Sequence, residues 1–142
     1  MILYLDTSSL VKLYLDEEHS DRVREWVEES FRIATSRIAY VEALSAFARR
    51  HSEGDLSNES FAVVRQDLRR DWLDFVVVDL DEEQAGGFAI RYLLRGFDAV
   101  HLAAASRLHD LISQDTPILF SCFDDKLSSA ARQEGLLPLP IG

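Results

Sequence analysis

Four short apolar runs, Ile2 to Leu5, Phe31 to Ala34, Phe75 to Leu80 and Ile118 to Phe120, are separated by long stretches whose apolar residues recur at helical spacing. Leu136 to Leu139 is a candidate fifth run. This alternation is the tightest constraint on the fold. A short run with no polar alternation suits a strand buried on both faces, and strands joined by helical crossovers pair in parallel. The expectation is an α/β fold: a central, mainly parallel sheet of about five strands with helices on both faces. All three prolines lie at or beyond position 117, so nothing breaks the helical middle.

Arg37 to Arg50 carries Ile38, Val41, Leu44 and Phe47 or Ala48 on one helical stripe, and Ser57 to Trp72 carries Phe61, Val64, Leu68 and Trp72. Asp81 opens a further helix with Gln84 at the capping-box position. Gly96 is expected to separate that helix from one starting near Asp98 and running through His109. A last helix from about Asp125 is expected to end at Gly135, a good residue for leaving a helix. There is no linker, repeat or low-complexity tract, so residues 1–142 read as a single domain.

Composition narrows the class. Hydrophobic residues make up 47% of the chain, enough for a core and too many for a disordered segment. One cysteine, Cys122, excludes an internal disulfide framework and a cysteine-only zinc site. The opening apolar run is too short for a signal peptide, and no run is long enough for a membrane helix. A cytoplasmic protein without membrane contact is expected. The net charge of −10 argues against nonspecific binding to a polyanion. The charge is uneven, however. Asp16 to Glu29 holds seven acids and two arginines, and Asp79 to Glu83 holds four acids and no base. Outside those two segments acids and bases nearly balance, so the total does not exclude RNA.

Parallel sheets bind ligands beyond the carboxyl ends of their strands. Asp6 directly follows the first apolar run and Asp124 follows Ile118 to Phe120 after a short turn. If both strands are central, the two carboxylates meet at one end of the sheet, where they repel unless protonated or bound to a cation. The competing reading is that each caps the helix after it. Glu42 interrupts the most apolar part of its helix, with Ser45 and Arg49 as helical neighbours; it is either a group with a function or part of a solvated polar stripe. Asp98 precedes an Ala-rich helix, where an N-cap role explains it fully. His101, one turn on, reads as a packed, hydrogen-bonded core residue rather than a ligand. Four acids without a Cys/His cluster suit a hard ion, Mg²⁺ or Mn²⁺, rather than zinc.

The segment Asp6-Thr7-Ser8-Ser9-Leu10-Val11-Lys12-Leu13-Tyr14 resembles the opening motif of PIN-domain ribonucleases, especially VapC-like toxins of toxin–antitoxin pairs. Val41-Glu42-Ala43 resembles the family's helix-borne acid, Asp98-Ala99-Val100-His101-Leu102-Ala103 its third motif, and Phe123-Asp124-Asp125-Lys126-Leu127 with Gly135-Leu136 its fourth. The four stand in family order across nearly the whole chain. The resemblance implies a three-layer α/β/α sandwich and Mg²⁺- or Mn²⁺-dependent cleavage of RNA. It implies a homodimer neutralised by a cognate VapB-like antitoxin. By motif, Asp6, Glu42, Asp98 and Asp124 form the acidic pocket and hold the metal, with Ser8 as a supporting hydroxyl. Asp125 is the alternative fourth acid. The sequence departs from the family at Cys122, where a hydroxyl residue is usual; Ser121 stands one step earlier.

Thirteen of the fifteen basic residues are Arg, the better phosphate fork. Arg49 and Arg50 are candidate contacts to the RNA backbone. So are the pairs Arg65 with Arg69 and Arg91 with Arg95, each expected to share a helix face. Other classes remain. An aspartyl-nucleophile phosphatase usually needs a second Asp at position 8, which is Ser8. A phospho-accepting receiver would use Asp79 as acceptor, but no Lys closes the run at Ile118 to Phe120. A PIN-like scaffold that binds metal or protein without cutting RNA, or a PIN nuclease outside a toxin–antitoxin pair, completes the set.

Overall fold

The computed structural model describes residues 1–112 and 114–141. Five strands, β1 (Ile2–Leu5), β2 (Arg32–Ser36), β3 (Val76–Val78), β4 (Ile118–Ser121) and β5 (Leu137–Leu139), form one sheet in the order β3-β2-β1-β4-β5. Every pairing is parallel. Seven helices connect them: α1 (Thr7–Tyr14), α2 (Ser20–Glu29), α3 (Ile38–Ser52), α4 (Asn58–Trp72), α5 (Glu82–Tyr92), α6 (Gly96–Leu111) and α7 (Asp125–Gln133).

The alternating pleat sends β1 side chains to two separate cores. Tyr4 joins Phe120, Ile118, Leu102, Leu127 and Leu136 under α5, α6 and α7. Leu3 and Leu5 join Leu10, Ala43, Phe47 and Leu68 under α1 to α4. This is the expected three-layer α/β/α sandwich. The small residues Ala99, Ala103, Ala104 and Ala105 bring α6 close to the sheet.

Strand order fixes where a ligand can sit. The chain builds outward on one side of β1 through β2 and β3, then returns to the other side for β4 and β5. Connections therefore diverge above the carboxyl ends of β1 and β4, which opens a crevice there. Leu5 and Ser121 are paired in register at that end, so whatever follows each strand faces the same space.

Several local expectations change. Thr7–Tyr14 is a helix with Asp6 as its cap, as the competing reading of Asp6 expects, while the acid-rich segment contains α2, whose Val23, Trp26 and Val27 turn inward. Phe75 to Leu80 shortens to Val76–Val78, because this edge strand has a partner on one side only. The fifth strand starts at Leu137. Gly96 does not separate two helices; it is the first residue of α6, and the break falls at Leu93, which adopts a left-handed backbone.

Candidate active site

Each of the four acids arrives from a different element. Asp6 leaves β1 and caps α1: its Oδ1 accepts from the Ser9 N–H at 2.9 Å and from the Ser8 hydroxyl at 2.8 Å. Asp124 follows β4 and caps α7, with Oδ1 accepting from the Leu127 N–H at 2.8 Å. Capping and site placement are therefore not alternatives. One oxygen of each carboxylate ties down a helix while the side chain lines the crevice. Asp98 corrects its expected role. The N-cap of α6 is Arg95, and Asp98 lies in the first turn, where its charge suits the helix dipole.

These acids line one cleft of about 280 Å³. Asp6, Glu42, Asp98, Asp124 and Ser8 all reach it, together with Thr7, Lys12, Arg95, Phe97, His101 and Phe123. Asp125 is exposed and does not line the cleft. Arg49 and Arg50 sit in the last turn of α3, away from the cleft; Arg50 pairs with Glu17 at 3.3 Å and Asp55 at 3.4 Å. Arg65 and Arg69 do share a face, but beside Tyr40 and Leu44. Arg91 and Arg95 do not, since α5 ends at Tyr92; Arg91 pairs with Glu134 instead. Asp79 follows the edge strand, exposed and paired with Arg37, so it lacks the central, pocketed position of a phospho-acceptor.

The electrostatics differ among the acids. Burial pushes the Asp6 carboxyl up, against the pull of His101 and the hydrogen bonds from Ser9 and Ser8. Burial also acts to raise Glu42, but hydrogen bonds from His101 and Thr7 and attraction to His101 outweigh it and hold the carboxyl below its usual value. The Thr7 hydroxyl donates to Glu42 Oε1 at 2.5 Å, so Glu42 is not on a solvated stripe. The Arg95 guanidinium bridges the far wall, with Nε 3.1 Å from Asp98 and a terminal nitrogen 3.8 Å from Asp124. Burial pushes the Cys122 thiol up to about 12, and its sulfur lies 3.0 Å from Ser128 Oγ, so it is no nucleophile. Ser121 hydrogen-bonds Ser9 in the core between β4 and α1 and does not line the cleft.

The donor set fits a hard divalent cation: four carboxylates, no thiolate, and a chain cation already drawn between two of them. Among the described residues no three His, Cys, Asp or Glu side chains stand close enough to enclose an ion as they lie. No helix among the described residues is long and apolar enough to cross a membrane.

Sequence reasoning missed Thr7, Lys12, Phe97 and Phe123 as cleft residues, took Arg95 only as an RNA contact on a shared helix face with Arg91, and took His101 only as a packed core residue. Each is within six positions of a predicted acid, but adjacency does not say which neighbours turn inward.

Comparison with known proteins identifies the family and the fold. The PIN domain family model matches residues 3–133. The chain is similar to Ribonuclease VapC45 of Mycobacterium tuberculosis (strain CDC 1551 / Oshkosh), 34% identical over 149 residues, covering 98% of this chain and 95% of the relative. It is also similar to Ribonuclease VapC46 of Mycobacterium tuberculosis (strain ATCC 25618 / H37Rv), 31% identical over 134 residues and covering 94% and 93%. Among solved structures, a toxin–antitoxin complex from Klebsiella pneumoniae shares the fold with a TM-score of 0.58 and 20% identity, covering 82% of this chain and 83% of that one.

Proposed function

The chain belongs to the PIN domain family, and from that membership we propose that it is a VapC-like endoribonuclease toxin. On this reading residues 1–142 form a single PIN domain that hydrolyses RNA phosphodiester bonds in the cytoplasm. It acts as a homodimer and is neutralised by a cognate VapB-like antitoxin. Relatives named as VapC ribonucleases and a structural neighbour named as a toxin–antitoxin complex support it. The observation that carries it is the convergence of Asp6, Glu42, Asp98 and Asp124 from four elements on one cleft. Nothing in the fold's stability asks for that, since adjacent carboxylates repel.

Asp6, Asp98 and Asp124 would hold Mg²⁺ or Mn²⁺. When bound, such an ion supplies a fixed positive charge that neutralises and polarises the scissile phosphate. Glu42, held ionised below its usual value, accepts a hydrogen bond from the attacking water and orients it. Ser8 keeps Asp6 in place through its hydroxyl. Lys12 also stands on the cleft wall, where its ammonium is paired with Glu17 at 3.0 Å and would leave that partner to meet a phosphate oxygen. Arg49 and Arg50 would meet the RNA backbone away from the cut. Single-stranded or looped RNA is the expected substrate, because unpaired segments are the readable form.

The test is cleavage of single-stranded RNA by the purified, antitoxin-free chain with Mg²⁺, Mn²⁺ or EDTA. Cleavage is expected with either ion and none with EDTA. Equal cleavage by wild type and Asp6→Asn would identify a contaminant and overturn the reading.

A further inference from the structure

The cleft holds two phenylalanines, and the fold treats them differently. Phe123, between β4 and α7, is committed to the protein. Its ring packs on the core under α1 to α4 and stacks on His19 with ring centres 4.7 Å apart, and the Lys12 ammonium lies 5.1 Å from its centre. Phe97, in the first turn of α6, belongs to neither core. It is 61% exposed, and among the described residues no aromatic ring or cation packs on it. The approach past Gly96 is open, since a Cβ there would have no neighbour within 4 Å.

A lone exposed apolar side chain is ordinary. Place is what separates Phe97 from the others: among the described residues it is the one exposed large apolar side chain that lines the cleft. It adjoins Asp98, and Arg95, two residues earlier, stands on the same wall with an exposed guanidinium. A phosphodiester reaching the acids carries a base on either side. An aromatic face beside a cation is how proteins hold single-stranded nucleic acid: the base stacks on the ring and the cation tracks the backbone. The charge balance points the same way. Four carboxylates and a net charge of −10 repel a polyanion, so part of the affinity has to come from uncharged contacts. Ile90 and Leu93 are also exposed nearby in the sequence, but neither lines the cleft.

We infer that Phe97 is a substrate-binding residue: an unpaired base beside the scissile phosphate stacks on its ring. The inference rests on the nuclease reading for the identity of the ligand. Every base has a π-face, so the stack holds the strand without reading its sequence. The contact is made equally in the bound substrate and in the transition state, so it lowers KM and leaves kcat alone. Phe123, already stacked on His19, is wall rather than platform.

Two measurements test it. The first is binding of a short single-stranded RNA by the Asp6→Asn chain at low salt, a background that removes cutting and one negative charge from the cleft. Adding Phe97→Ala should weaken binding about 5- to 150-fold, the range for one base–aromatic stack. Phe97→Leu keeps apolar bulk without a ring face and should lose nearly as much, whereas Phe97→Trp should bind as well as the parent. The factor should not change with added salt, because a stack releases no counterions. The ring is part of neither core, so all three variants should fold. The second measurement is steady-state cleavage: Phe97→Ala should raise KM by a similar factor with kcat nearly constant. Sedimentation of each variant reports its mass. Unchanged affinity and KM in Phe97→Ala would overturn the stack. So would a fall in mass with Phe97→Ala that Phe97→Leu restores together with KM, since the ring would then serve a contact between two copies of the chain. If the wild-type chain cuts no RNA while Phe97→Ala still weakens binding, the nuclease reading fails and the stack stands. If no RNA binds at all, both fall.

Discussion

Asp6 and Glu42 form one wall of the cleft and Asp98 and Asp124 the other; the two walls hold equal charge by different means. On the first wall the acids are withdrawn from water, Asp6 5% exposed and Glu42 23%, and internal donors fix them: Ser8, Ser9, Thr7 and His101. On the second, Asp98 is 18% exposed and Asp124 42%, and the neutralising partner of both is Arg95, itself 80% exposed and free of the core. An exposed ion pair contributes at most about 1 kcal/mol and is screened by salt. The first wall is preorganised at a cost in stability at Asp6 but not at Glu42, which is held below its usual value, and the second is adjustable at little cost. A cation entering the cleft would meet a fixed face and a yielding one.

The largest expected effect tests the fixed wall. Asp6→Asn should cut cleavage by at least about 100-fold, beyond the range for losing a merely supporting group. It should also raise the melting temperature of the metal-free chain, because Asn caps a helix as well as Asp and brings no charge into the buried position. The sign follows from the raised carboxyl of Asp6. The folded chain holds that proton more tightly than the unfolded chain, so wild-type stability rises as pH falls through the raised value. The advantage of Asp6→Asn should therefore be widest at neutral pH and close on acidification. A wild type more stable than Asp6→Asn at pH 7 would show that the first wall carries no such cost.

A middle-sized effect separates the two jobs of Asp124. Asp124→Ala should lose about 1 kcal/mol in urea unfolding through the missing α7 cap, whereas Asp124→Asn should keep it. Both should lose cleavage. Equal stability of the two variants would detach the cap from the carboxylate.

The smallest effect probes the yielding wall. Arg95→Ala should tighten Mn²⁺ binding about two- to fivefold in calorimetry at low salt, as expected for releasing exposed pairs worth under about 1 kcal/mol each. The gain should shrink as salt is added. Weaker Mn²⁺ binding in Arg95→Ala would mean that Arg95 organises the acids rather than competing for them.

Much of the architecture was legible because it depends on local pattern. Uninterrupted apolar runs mark strands buried on both faces, and an acid just after such a run stands at a strand end wherever that strand lies in the sheet. Asp81 with Gln84 announced the cap that α5 uses, with the Gln84 N–H donating to Asp81. Other features were harder to read. Seven acids masked the inward stripe of Val23, Trp26 and Val27 in α2. Gly96 suggested a break because glycine is a poor helix former, but at a first turn its cost is small and Leu93 makes the turn instead.

What the chain's order of residues dictates is the alternation of strand and helix and the supply of carboxylates at strand ends. Which carboxylates meet depends on β4 returning beside β1, a choice made by packing between the two cores. The same holds for the partners that set their charge. Tyr4 and His101 are 97 positions apart, Thr7 and Glu42 are 35 apart, and Arg95 reaches Asp124 across two elements. Hydrogen bonds and desolvation act over a few ångströms of space. They therefore become defined only once the sheet has placed distant residues side by side.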